Sequence, residues 1–126
     1  LGRRGDGMAR VQECLEAVRS RGFMRVEPFA LSVLVRLKYL AGDMDGAFGH
    51  AEEALGIFSA MPWVRHDPSV LAVAALHRGL EGRMEEAGAL IDRSLSALSI
   101  GKPSWRRFVQ EVLLRFQELP GGEPRF

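Results

Sequence analysis

The stretch that decides the fold is LVRLKYLAGDMDGAFGHAEEALGIF, residues 34–58. Apolar residues precede the central glycine with helical spacing, and small or apolar residues recur after it at i, i+4, i+7, i+8 and i+11 from Ala47. That spacing forms one stripe of a helix with 3.6 residues per turn. Gly42 supplies the left-handed residue that commonly ends a helix, and Asp43 is a preferred cap for the next one. The stretch therefore predicts two helices joined by a tight turn.

The same pattern returns at an offset of forty residues. Sliding the chain against itself by forty aligns glycines with glycines, small residues with small residues, and aliphatic residues with one another. The columns include Gly2, Gly42, Gly82 and Gly122; Gly7, Ala47 and Ala87; Val11, Ala51 and Ile91; and Leu34, Ala74 and Leu114. Agreement of this many columns at one offset indicates an internal repeat, whose units stack and bury a shared core.

Caps, prolines and glycines set the ends of six predicted helices. Asp67 and Pro68 form a helix start, because a capping carboxylate precedes proline at the first helical position. The predicted helices span residues 7–20, 28–41, 44–60, 68–81, 83–99 and 104–119. No segment alternates with period two, so we predict no strands. Short linkers make successive helices antiparallel neighbours, which predicts an all-α fold, an α-α superhelix of helix hairpins, with a plain helical bundle as the alternative.

The repeated hairpin resembles the tetratricopeptide repeat (TPR). Gly42, Ala47 and Ala54 match the family's glycine and the two small positions of its second helix. The same positions match again in LHRGLEGRMEEAGALIDRSL, residues 76–95. The period of forty exceeds the thirty-four of the standard repeat, and leucine replaces the aromatic residue usual early in the first helix. Forty-residue variants are similar to repeats in bacterial LuxR-type ATPase regulators and cyclase-linked proteins, which implies signalling or transcription regulation.

The resemblance covers nearly the whole chain and implies a single repeat domain over residues 1–126. In the repeat alignment, Gly2 takes the place of the glycine that ends the first helix of a hairpin, and that helix is missing from the sequence. The helix over 104–119 is a first helix without a second helix after it. Leu114 falls among polar residues on a helical wheel. In the family, its column packs against the second helix of the same repeat. We therefore expect a fragment of a longer array.

Composition narrows the class of protein. The 126 residues carry a net charge of +1, and 47% are hydrophobic. This balance is typical of a folded domain and creates no field that favours nucleic acid or an anionic membrane. No run approaches the roughly 20 apolar residues of a membrane span. One cysteine, Cys14, fits a reducing compartment, so we expect a cytoplasmic protein with no direct nucleic-acid or membrane partner.

The sequence contains no catalytic or metal-binding constellation. His50, His66 and His77 lie on three predicted segments without the i, i+4 pairing of helical metal ligands. Cys14 lies in a small-residue column, where cysteine acts as a compact hydrophobe. Adjacent glutamates diverge by about 100° on a helix and do not converge on a substrate. We expect no enzyme, no metal and no cofactor.

Without a reactive constellation, the shape of the surface is the remaining basis for a function. In tetratricopeptide arrays the first helices of the hairpins line an inner, concave wall. The resemblance places five candidate binding residues on that wall: Ser32, Arg36, Tyr39, Leu76 and Phe116, flanked by Ala72, Gly79 and Val112. We expect a non-catalytic protein–protein interaction module of a bacterial regulatory or signalling protein, which binds a partner segment or a neighbouring domain. The alternative is a ligand-sensing repeat domain that controls an attached ATPase, cyclase or DNA-binding domain.

Overall fold

A computed structural model describes residues 2–21, 27–60, 66–98 and 103–120 of the chain. Over these ranges the protein is all-α and forms six helices. They are α1 (Gly2–Arg21), α2 (Glu27–Leu40), α3 (Met44–Ala60), α4 (Pro68–Leu80), α5 (Met84–Leu98) and α6 (Pro103–Gln117). They form two compact units, Leu1–Val64 (unit 1) and Arg65–Phe126 (unit 2). Within the described ranges, no helix combines the length and the apolar character that crossing a membrane requires.

Five of the six helices lie within two residues of their predicted bounds, and residue 99, predicted at the end of α5, lies outside the described residues. The exception is α1, which begins at Gly2 instead of residue 7. The expectation that Gly2 ends a preceding helix is therefore wrong. Glycines cost a helix up to about 1 kcal/mol each relative to alanine, but no proline interrupts this stretch, so the helix continues through them. Gly122, the last residue of that column, lies outside the described residues.

The two hairpin turns have the same geometry at equivalent positions. Gly42 and Gly82 adopt φ of 85° and 80°, the left-handed region. The N–H of Asp43 donates to the carbonyl of Lys38 at 2.9 Å, and the N–H of Gly42 donates to that of Tyr39 at 3.1 Å. The corresponding bonds forty residues later measure 2.9 and 3.0 Å. This pair of bonds is the Schellman closure of a helix, and the prediction of both turns is confirmed.

Two of the predicted helix caps are present. The carboxylate of Asp43 accepts the N–H of Gly46 at 3.0 Å, at the start of α3. The carboxylate of Asp67 accepts the N–H of Ser69 at 2.7 Å, with Pro68 in the first turn of α4. Each cap satisfies a backbone donor that the helix itself leaves without a partner. Both predictions are confirmed.

In unit 1, α2 packs against both α1 and α3. Small residues of α3 let its backbone approach α2 closely, and larger aliphatic side chains fill the remaining space. The buried residues include Leu15 of α1, Leu31, Leu34 and Val35 of α2, and Ala47, Ala51, Ala54 and Phe58 of α3. Because α2 has a neighbour on each side, a large part of its circumference is covered.

In unit 2, α4 packs against both α5 and α6. Every residue from Pro68 to Leu76 is buried, so this helix is covered around its first two turns. The hydroxyl of Ser94 in α5 donates to the carbonyl of Pro68 at 2.8 Å, inside the core. That bond attaches the middle of α5 to the first turn of α4. The apolar stripe of α6 is Phe108, Val109, Val112, Leu113 and Phe116.

Candidate functional site

The structure buries four of the five residues expected on a solvent-facing wall. Ser32 and Leu76 are each 4% exposed, and Tyr39 and Phe116 are each 3% exposed. The expectation that these four side chains face solvent is wrong. Arg36 is only half-buried and stays at the surface of unit 1.

Helix packing explains this burial. In unit 2 the predicted wall positions of α4 and α6 face each other instead of solvent. A methyl group built on Gly79 would lie 2.8 Å from Cε2 of Phe116 and 2.9 Å from Cδ1 of Leu119. In unit 1 the wall positions of α2 are covered because the helix lies between α1 and α3. In each unit, the residues expected on the wall, apart from Arg36, therefore lie in contacts between helices.

A different stripe of α2 is accessible, and we call it the α2 stripe. It consists of Phe29, Val33, Arg36 and Leu40, spaced at i, i+4, i+7 and i+11. Phe29 is 69% exposed and Leu40 is 46% exposed, while the other two are half-buried. At 100° per residue, the stripe is rotated by roughly 60° from the expected wall, and the two share only Arg36. The spacing was visible in the sequence, but no local signal distinguished this apolar stripe from the one that packs inside.

Unit 2 contains a shallow cleft of about 360 Å³, which we call the α4–α5 cleft. It lies between the start of α4 and the second half of α5. Its lining residues are His66, Leu71, Asp92, Arg93, Ser96 and Ala97. Leu71 is buried and forms an apolar floor, whereas Asp92, Arg93 and Ser96 are exposed at the rim. Polar groups from two elements thus converge over an apolar base, the usual composition of a ligand site.

One hydrogen bond organises the rim of the cleft. Nη2 of Arg93 lies 2.6 Å from Nδ1 of His66. A guanidinium has donors only, so Arg93 donates and the imidazole nitrogen accepts. The proton of the neutral imidazole is then on Nε2. Nothing in the local sequence pattern marks Arg93 as a site residue, because its partner His66 is 27 positions away.

Glu86, in the first turn of α5, belongs to an ion-pair network. Glu86 pairs with Arg83, and its Oε2 lies 3.4 Å from Nη1 of Arg78. Glu81 lies 3.6 Å from Arg83. The hydrogen bond to Glu86 raises the pKa of the Arg83 guanidinium, and the charges of Glu86 and Glu81 add to the effect. These contacts link the end of α4 to the start of α5 across the turn.

Reactive groups are dispersed over the part of the chain that the structure describes. No three His, Cys, Asp or Glu side chains among the described residues form a group able to hold a metal ion. Cys14 is exposed on α1, so the expectation that it packs as a compact hydrophobe is wrong. Nδ1 of His50 lies 3.6 Å from Oε1 of Glu53 on α3. The geometry supports binding through the α2 stripe or the α4–α5 cleft.

Comparison of the chain with protein-family models, curated proteins and solved structures gives no match.

Proposed function

We propose that the chain is a non-catalytic protein–protein interaction module, a TPR-like repeat domain of a bacterial regulatory or signalling protein. It binds a partner segment or a neighbouring domain. We assign it to the cytoplasm, a compartment that suits an exposed, unbridged thiol such as Cys14. The observation that carries the proposal is the α2 stripe, an apolar surface beside an arginine that unit 1 leaves accessible.

The repeated turn supports the TPR-like part of the proposal. Gly42 and Gly82 have matching φ values and matching Schellman bonds at an offset of forty residues. Equivalent hairpins of this kind are the building units of α-solenoids, in which each repeat packs on the next. We propose a solenoid arrangement of these hairpins for this chain as well.

The α2 stripe has the composition of a binding surface. Phe29 and Leu40 expose large apolar area, and burying each on a partner would contribute about 1.5–3 kcal/mol. Arg36 lies between them on the same face, and arginine and aromatic side chains are enriched among the residues that dominate binding energy. An apolar helical face with i, i+4 and i+7 anchors is a recurring mode of recognising an amphipathic segment. We therefore infer that the partner presents an amphipathic helix or an apolar strand.

The test is selection of binders from a displayed library of random peptides, with the 126-residue chain as bait. We expect enriched peptides with regularly spaced apolar residues. Replacing Phe29 and Leu40 together by serine should weaken their binding by at least about tenfold, because two anchors are removed. Leu114→Ser is the matched control, because Leu114 is 54% exposed on α6, outside the stripe. Circular dichroism verifies that all variants retain their helices.

Two outcomes would contradict this proposal. In the first, no peptide is enriched above the level seen with an unrelated helical protein. In the second, the selected peptides lose affinity in the Leu114→Ser variant and keep it in the Phe29/Leu40 double variant. Binding would then depend on α6, and the α2 stripe would not be the interaction surface.

A second candidate function rests on the α4–α5 cleft. A ligand-sensing repeat domain that controls an attached ATPase, cyclase or DNA-binding domain needs polar groups that converge on a cavity. Arg36 and Tyr39 of the expected wall do not line the α4–α5 cleft. Arg93, His66, Asp92 and Ser96 do line it. The cleft is the observation that favours this alternative.

A further inference from the structure

We propose that the α4–α5 cleft binds the carboxylate of a small ligand that also carries an apolar tail. Arg93 would receive the carboxylate, and Leu71 and Ala97 would contact the tail. The inference goes beyond the proposed interaction function, since it concerns a ligand subsite in unit 2 and not the α2 stripe. It also names a ligand class for the sensing alternative.

Arg93 is held ready for an anion. Its Nη2 donates to Nδ1 of His66 at 2.6 Å, and this bond restrains the guanidinium at the rim. A guanidinium has five N–H donors in a planar fork, so donors remain after one bond to histidine. Two parallel donors of the fork match the two oxygens of a carboxylate. A restrained arginine loses less side-chain entropy when the anion arrives than a mobile one would.

Hydrogen bonds anchor the backbone next to Arg93 and next to His66. The hydroxyl of Ser94, the next residue of α5, donates to the carbonyl of Pro68 inside the core. On the other side of the cleft, Asp67 caps α4 through the N–H of Ser69. That bond ties the start of the helix, next to His66, to a fixed conformation. Both sides of the cleft are therefore anchored by side-chain bonds to the same turn of α4.

The lining selects among anions. Buried Leu71 and half-buried Ala97 offer apolar contact, which a bare inorganic ion cannot use. Asp92 brings a negative charge to the rim, so a dianion such as phosphate meets repulsion that a singly charged carboxylate meets only in part. The volume of about 360 Å³ lies at the lower end of the roughly 300–1,000 Å³ that is usual for small-ligand sites.

The experiment titrates the full chain at constant ionic strength with isocaproate, isocaproamide and inorganic phosphate in turn. Isocaproate has a carboxylate and an apolar tail, isocaproamide has the same shape without charge, and phosphate has charge without a tail. Isotope-edited NMR follows the backbone amides of residues 92–97. We expect saturable shifts with isocaproate, and binding at least about tenfold weaker with each of the other two probes.

Variants identify the residue responsible. Arg93→Gln should weaken isocaproate binding by at least about tenfold, because it removes the charge and the guanidinium fork and leaves a shorter, neutral polar side chain. Arg107→Gln is the matched control, since Arg107 is an exposed arginine of α6 outside the cleft. Equal binding of isocaproamide would overturn the proposal in favour of a purely apolar cleft. Equal binding of phosphate, or unchanged binding by Arg93→Gln, would overturn it as well. None of these results depends on a peptide partner, so this proposal and the interaction function can fail separately.

Discussion

Gly79→Ala tests the packing of α4 against α6. A methyl group at this position would approach Cε2 of Phe116 to 2.8 Å and Cδ1 of Leu119 to 2.9 Å. Both distances are too short for carbon atoms in contact, and Phe116 is buried, so its ring has little room to move. Overpacking of this kind costs about 1–3 kcal/mol. Alanine gains up to about 1 kcal/mol of helix propensity over glycine, so the net loss is roughly 0–3 kcal/mol.

The matched control is Gly56→Ala in α3. Gly56 is exposed, and a methyl group there meets nothing within 4 Å. The same chemical change should therefore stabilise the protein by up to about 1 kcal/mol. Both variants gain the same helix propensity, so that contribution cancels when they are compared. Their free energies of unfolding should therefore differ by about 1–3 kcal/mol, the cost of overpacking at Gly79.

Urea unfolding followed by circular dichroism measures this difference, and amide exchange in α4 and α6 locates it. Phe116→Leu should partly relieve the crowding, so Gly79→Ala and Phe116→Leu should be non-additive, with a coupling of about 0.5–3 kcal/mol. Equal stabilisation by Gly79→Ala and Gly56→Ala would refute the reasoning. It would show that α6 does not press against this face of α4.

Two further predictions concern the hairpins. Ala54→Leu should cost about 1–3 kcal/mol, because Ala54 is fully buried on α3; a thermal melt with no loss would mean that this position has room. Gly82→Ala should cost about 1–2 kcal/mol, because φ of 80° is unfavourable for a residue with a Cβ. Gly42→Ala should lose a similar amount, and unfolding curves that show an effect at only one of the two glycines would contradict the equivalence of the turns.

Local sequence signals account for where most of the helices begin and end. Gly42 and Gly82 end α2 and α4, and Asp43 and Asp67 cap α3 and α4, as predicted. These features depend on backbone bonds that span five residues or fewer, so the information lies within a short window. Gly2 is the exception: it begins α1 instead of ending a helix, because a glycine ends a helix only where the neighbouring bonds form the closure.

Which faces of the helices are covered depends instead on tertiary packing. Tyr39 and Phe29 lie on the same helix, yet one is 3% exposed and the other 69%. Both are aromatic residues at helical spacing, and periodicity identifies an apolar stripe without saying whether a neighbour covers it. Phe116 is covered by α4 near Gly79, a residue distant from it in the sequence. The pairing of Arg93 with His66, across 27 positions, likewise needs two helices in place. Contacts of this range follow from how helices pack, and helix packing depends on the whole unit.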